Sequence, residues 1–353
     1  MKPKLVALAA GTLWCTVLPP RCSAQGMPSA LTQFLKQAIA LRDDEIAAAA
    51  SGTPVVKVLE PVDRREVAVF GIVRVDVPRA FYVKRATDFP AALRSPTRIR
   101  FGVFSDPATL SDVAALSLPH DDVEDLAHCA PGACKVKLSS EALAHLRASI
   151  VPGSALPDSI VNAYVRQRVV DYVTAYRARG DSALVVYVDQ KSRTAAAQVF
   201  AGIVSRSPYM YQYAPSLEAY LRSYPSNRPE GLRETVFWSE DDLPSAKRTI
   251  AITHIVVYSP PELGGATLIA AKLLYADHYL DGALDLTAVV DQTASGAGPS
   301  PGIFLVAFRR LHFDELPSGG VVNVRAKVTG KLGGWTTTWL RDAKSRSEQA
   351  YHP

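Results

Sequence analysis

Polar residues with chemistry to offer crowd into the last third of the 353-residue chain: His254, Lys272, Tyr275, Asp277, His278, Asp281, Arg309, Arg310, His312, Asp314 and Glu315. Histidine beside a carboxylate is the ordinary means of general acid–base catalysis, and His278 with Asp277, Asp281 or Asp314 is the pair a hydrolase would use. No activated nucleophile accompanies them. Lys272 alternates in phase with Leu268, Ala270 and Leu274, and His254 with Ile252 and Val256, so both sit on apolar strand faces. A lysine in such a place is paired or borders a cavity. Two uses follow. The charges can make ion pairs at strand ends and on the outer sheet face, or they can converge on a mouth that orients a ligand's polar head. The residues assigned to such a mouth are Trp238, His254, Lys272, Tyr275, His278, Arg310 and Asp314.

Other motifs carry less. Residues 298–302 match G-x-S-x-G, but a nucleophile elbow runs from strand through a sharp turn to helix. Here a strand follows and prolines flank Ser300, which makes a hairpin loop. His120, His128, Cys129, Cys134 and His145 fit no zinc-ligand spacing, and no metal or cofactor is expected. The tyrosines of residues 209–224 can stack on sugars or rings, or supply amphipathic core packing with a hydrogen-bonded tip.

The elements that must position these groups are legible near the carboxyl end. Residues 249–258, 266–275, 283–291 and 303–312 are rich in β-branched and aromatic residues and bounded by Gly/Pro turns. Such short connections make antiparallel neighbours. Val321, Val324, Val328, Leu332, Trp335 and Trp339 then recur at helical spacing. A sheet gripping this helix is expected to bury both Trp rings. Gly330, Gly333 and Gly334 would let the helix lie close on the sheet, or kink it. Upstream, a helix is expected over residues 29–50, a hairpin over 55–77, and strands at 98–104, 183–189 and 235–238. Residues 106–182 are mainly helical. Within them, the helix 158–179 should turn Ile160, Val161, Tyr164, Val165, Val169, Tyr172, Val173 and Tyr176 inward. Strands on both sides of this segment favour one α+β domain over residues 25–353, an antiparallel sheet gripping a C-terminal helix, with a helical insertion.

Residues 1–24 are expected to be a signal peptide, with Lys2 and Lys4 ahead of a short apolar run and Cys22-Ser-Ala24 at the cleavage site, so that the mature chain starts at about Gln25. Its loss removes Lys2, Lys4 and Arg21 and takes the net charge from +5 to +2. No Lys/Arg cluster argues for nucleic acid. No later apolar stretch is long enough for a transmembrane helix. Cys129 and Cys134, left alone in an oxidising compartment, are expected to form a disulfide. The expected destination is the periplasm or the medium.

The stretches Cys129-Ala-Pro-Gly-Ala-Cys134-Lys-Val-Lys-Leu138 and Lys272-Leu-Leu-Tyr-Ala-Asp-His-Tyr-Leu-Asp281 resemble a family of exported bacterial hypothetical proteins, which implies no activity. The order of elements also resembles the helix-grip fold of START-like lipid-binding domains: a strand ending Val75-Asp-Val-Pro78 before a helix, later antiparallel strands, and a terminal helix over 321–344. Residues 106–179 depart from that compact pattern. A large sheet-and-helix core with misplaced polar residues near one end points to non-enzymatic binding of an apolar or amphipathic, lipid-like small molecule between sheet and helix. The alternatives are a structural or partner-binding envelope protein, and a hydrolase-type enzyme built on a His–carboxylate pair.

Overall fold

A computed structural model of the chain describes residues 26–95, 97–148, 157–242, 246–293, 302–317 and 323–352. The expected signal peptide, Val321 and most of the Gly298–Gly302 loop lie outside the described residues. In chain order the elements are α1 (Ser29–Gln37), α2 (Asp43–Ala50), β1 (Val55–Leu59), β2 (Glu66–Val75), α3 (Arg79–Ala86), α4 (Phe89–Ala92), β3 (Arg98–Val103), α5 (His120–Ala127), α6 (Ser140–Ala148) and α7 (Asp158–Arg179). There follow β4 (Val186–Tyr187), β5 (Thr194–Ala195), α8 (Ala196–Ser205), α9 (Pro208–Tyr213), α10 (Pro215–Ser223), β6 (Arg233–Asp241), β7 (Thr249–Tyr258), β8 (Ala266–Ala276), β9 (Leu280–Asp291), β10 (Ile303–Phe313) and α11 (Val324–Ala350).

The fold is α+β. One eight-stranded antiparallel sheet runs β1-β2-β10-β9-β8-β7-β6-β3. Strands β7 to β10 are sequential antiparallel neighbours, as their short connections require. The amino-terminal hairpin joins them through β2, paired with β10 from Ile303↔Val75 to His312↔Glu66. At the opposite edge, β3 pairs with β6 and its register slips between Arg98 and Arg100.

The two faces of the sheet are treated differently. On the first, Phe70, Ile72, Phe304, Val306, Phe308, Leu286 and Val256 meet apolar side chains of α1, α2, α8, α9 and α10. Further along the same face, Trp238, Ile250 and Ile252 meet the insertion through Val123, Leu143, Val169, Val173 and Tyr176. On the second face α11 lies along β1 and β2, where Val67, Val69, Val73 and Val75 pack against Leu332 and Leu340. On this side of β7 to β9, Thr253, Ile255, Ile269, Ala271, Asp285 and Thr287 are only half-buried.

Several elements differ from expectation, each for a local reason. The helix over 29–50 is broken into α1 and α2, with Ala40 at φ 55°, and Lys57 closes the break by donating to the Ile39 and Ala40 carbonyls. The strand over 183–189 shrinks to β4. In α7, Ile160 is 57% exposed, because the buried stripe begins at Val161. The phase of α11 is also shifted. Its buried residues are Leu332, Thr336, Leu340 and Ser347, whereas Trp335 is 40% exposed and Trp339 is half-buried beneath the Arg309 guanidinium, 4.8 Å from its ring centre. A threonine can occupy the buried stripe because its hydroxyl donates to the Leu332 carbonyl one turn back, at 2.8 Å.

Close approach of helix and sheet comes from the sheet side. A Cβ on Gly71 would lie 2.9 Å from Leu340 Cδ1 and 3.0 Å from Thr336 Cγ2, whereas one on Gly330, Gly333 or Gly334 would meet nothing within 4 Å. Gly71→Val should therefore force α11 off β2 and destabilise by about 2–4 kcal/mol. Gly333→Ala should be neutral or stabilising by up to about 1 kcal/mol. Urea denaturation of the two variants beside the parent tests the contrast, and equal midpoints would remove Gly71 from this role.

Candidate functional site

The residues expected at a ligand mouth are spread across the first face, from β10 to β6 and the adjoining turns. Cross-strand register sets Arg310, Leu284, Lys272 and His254 in one row, and Tyr275, Ile252 and Trp238 in a neighbouring one. A register shift between Ile252 and Thr253 puts Tyr275, rather than Leu274, opposite Ile252. Helices cover both rows, and each polar group is taken by a partner. The Lys272 ammonium pairs with Asp181 and stands 3.8 Å above the Phe200 ring centre. Burial pulls it down to about 8, against the opposing pull of Asp181. His254 lies between Glu234, 3.0 Å from Nε2, and the Tyr176 hydroxyl, 3.0 Å from Nδ1. Burial lowers its pKa, so the ring is held neutral, with Nε2–H donating to Glu234.

Arg310 sits 2.9 Å from Glu66 and donates to Ser207 Oγ at 3.1 Å. The Trp238 indole donates to the Asp112 carbonyl at 2.9 Å, and the Tyr275 hydroxyl to the Lys137 carbonyl at 2.7 Å. Asp314 faces Lys137 at 3.6 Å, and that ammonium lies 2.8 Å from Asp281. His278 finds its carboxylate in Asp122, at 3.0 Å, rather than in Asp277, Asp281 or Asp314. The strand-end residues thus form internal ion pairs that fasten the helical layer to the sheet. Tyr275 of this set lines a cavity of about 490 Å³ between α6, α7 and Ile250–Ile252.

The remaining sequence motifs resolve into packing. Cys129 and Cys134 form a disulfide with Cα atoms 4.5 Å apart. Backbone bonds from Gly132 to Val188 and from Cys134 to Asp189 dock its loop. His145 stacks on Tyr164 at 4.1 Å, and His120 pairs with Asp158 and Glu124, so the early His/Cys set does not converge. Tyr209 stacks on Phe308 and Tyr224 on Tyr176, and Tyr220 is fully buried.

A cleft of about 590 Å³ opens instead on the second face, over β7 to β9 and between the α3–α4 segment and α11. Ile255, Ile269, Ala271, Asp285 and Thr287 form its floor. Tyr82, Arg85 and Arg94 line one wall, and Trp339, Ala343 and Arg346 the other. Asp285 lies between Arg309 on β10 and Ala271 on β8 in the strand register. Although the residue as a whole is only half-buried, its Oδ1 is shielded from water and has no hydrogen-bond partner. Burial raises the Asp285 pKa, opposed by Arg309. Burial also raises the Tyr82 phenol to about 12, so it stays neutral. Sequence reasoning missed Asp285. Its signal was a carboxylate in mid-strand whose same-side neighbours, Ala283 and Thr287, are small.

No protein-family model matches the chain, and neither does any curated protein. Among the described residues no helix is long and apolar enough to cross a membrane.

A raised carboxylate pKa has a definite sign. The folded protein keeps the Asp285 proton above the pH, about 4, at which the unfolded chain releases it. The associated stability is complete below that pH and is lost as pH rises through the folded value. Asp285→Asn should therefore stabilise the protein by about 1–2 kcal/mol at pH 7 and hardly at all at pH 3.5. Urea melts at the two pH values measure this, and an equal effect at both would show that the Asp285 charge carries no such penalty.

Proposed function

We propose that the protein binds an amphipathic small molecule with an anionic head, a lipid-like ligand, in the cleft between the sheet and α11. One observation carries this: helical cores pack over the same sheet on one face, leaving a cavity beside Ile250 and Ile252, while on the other its central strands open into a larger cleft with an apolar floor. That floor holds a carboxylate oxygen shielded from water with no partner, an arrangement that costs stability and that a fully packed fold has no need of. Ile255, Ile269, Ala271 and the Trp339 ring offer a surface for an apolar chain. Among the described residues Arg85, Arg94 and Arg309 border it beside Asp88 and Asp285, while Arg98 and Arg346 are held by Asp241 and Asp342, a balance that favours an anionic head.

Binding rather than catalysis is favoured because, among the described residues, neither histidine nor cysteine lines the cleft. The His278–Asp122 pair that could move a proton is buried on the other side of the sheet, at 3% and 1% exposure. The disulfide suits an exported, oxidising setting, which the expected amino-terminal signal peptide would provide.

Titration with a fluorescent long-chain fatty acid tests the assignment. Ala271→Phe fills the floor from a half-exposed position and should weaken binding about ten-fold or more. Arg309→Gln should weaken the fatty acid more than the corresponding fatty alcohol. His120→Gln, on the far side of the molecule, should leave both unchanged. Undiminished binding by Ala271→Phe would place the ligand elsewhere.

A further inference from the structure

We propose that Asp122, Asp277 and His278 form a binding site for a divalent transition-metal ion of the zinc type, which ties α5 of the helical insertion to the turn between β8 and β9. The three residues each bring one ligand atom to within 4.8 Å of the others. They are 1%, 1% and 3% exposed. A tetrahedral shell with bonds of about 2.1 Å places its donors about 3.4 Å apart, a spacing that small side-chain rotations would reach.

Each ligand is already oriented from behind, as metal ligands are. Asp277 Oδ1 accepts the Ile250 backbone N–H at 2.8 Å, which leaves Oδ2 buried and without a hydrogen-bond partner. His278 Nδ1 lies 3.1 Å from the Lys135 carbonyl, which can only accept, so the ring hydrogen belongs on Nδ1. Nε2 then turns toward Asp122 Oδ2 at 3.0 Å. A bound cation would take the place of a proton on Nε2, between the ring and Asp122 Oδ2. The Lys135 carbonyl is held in place because the adjoining disulfide loop is docked on Val188 and Asp189.

The surrounding charge agrees. Asp121, Asp122 and Asp125 all lie within 3.4 Å of the Lys247 ammonium, and Lys135 is 2.7 Å from Asp125. With Asp277, four carboxyl groups cluster about two ammonium groups and the imidazole, an acidic setting that accepts a dication. Two carboxylates and an imidazole suit zinc or manganese better than a purely oxygen-seeking ion such as calcium. This site lies apart from the cleft on the other face and does not depend on it.

The test uses the full mature chain without a histidine tag, dialysed against a chelator. It is titrated with zinc chloride alone by calorimetry, with manganese and calcium in parallel, and bound metal is counted by elemental analysis. One zinc per chain is expected, with calcium much weaker and the thermal midpoint raised by zinc and restored by chelator. Asp277→Asn, which can still accept the Ile250 N–H, and His278→Gln should each weaken zinc binding about ten-fold or more. His120→Gln, His128→Gln and His145→Gln should bind as the parent does. Midpoints without metal separate lost binding from lost folding: Asp277→Asn should be at least as stable as the parent while failing to take zinc. If either variant fails to fold, zinc stoichiometry and the midpoint shift in the parent decide. Less than one equivalent in the parent, or zinc retained by both variants, overturns the site and leaves an imidazolium–carboxylate pair only.

Discussion

Strand β10 lies between β2 and β9, and that position decides most of what the molecule can be. The ladder from Ile303↔Val75 to His312↔Glu66 joins the amino-terminal hairpin to the carboxyl-terminal strands. Until it forms, β1 and β2 have no sheet to extend and α11 has no surface to lie on. The contact spans most of the chain, so its loop-closure entropy must be met by many apolar residues meeting at once. Phe70 against Phe308 at 5.2 Å and Phe34 against Phe308 at 5.9 Å supply part of that, on the face that α1 closes.

Beneath the helices, the first face carries an unusual density of buried charge. Glu66 serves Arg206 and Arg310, Asp281 serves Lys137, His312 and Arg65, and Lys272 takes Asp181. Pairs of this kind gain little net stability, because desolvation offsets most of the attraction. What they do impose is discrimination. A helical layer shifted by one turn would leave several ions buried and alone. The insertion, anchored by Lys137, Asp122 and Asp181, is in this way held to one seating on the sheet.

Much of the fold could be read from the chain, and the reason is periodicity. Strands β7 to β10, the hairpin β1–β2, the long α7 and the terminal helix all announce themselves through local patterns that survive into the tertiary structure. The same method could tell that Lys272 was anomalous, but of the two explanations for a buried lysine it could not choose; the structure supplies a partner, Asp181, from a loop far away in sequence. The phase of α11 was misjudged because Thr336 hides its hydroxyl against its own helix and so behaves as an apolar residue. The pairing of β2 with β10 had no local signal at all. Neither did the meeting of Asp122 with His278, 156 residues apart. Which face of the sheet stays open depends on where helices land, and single-strand alternation contains no such information.

The slipped register of β3 has a consequence for how the protein behaves in a crowd. An outermost strand offers unpaired backbone groups to any passing β-segment. Here that strand is short, breaks its ladder between Arg98 and Arg100, and holds both guanidinium groups against Asp241 and Glu240 of its neighbour. An incoming strand would meet fixed positive charge and a kinked template. The sheet therefore ends at β3 on this side.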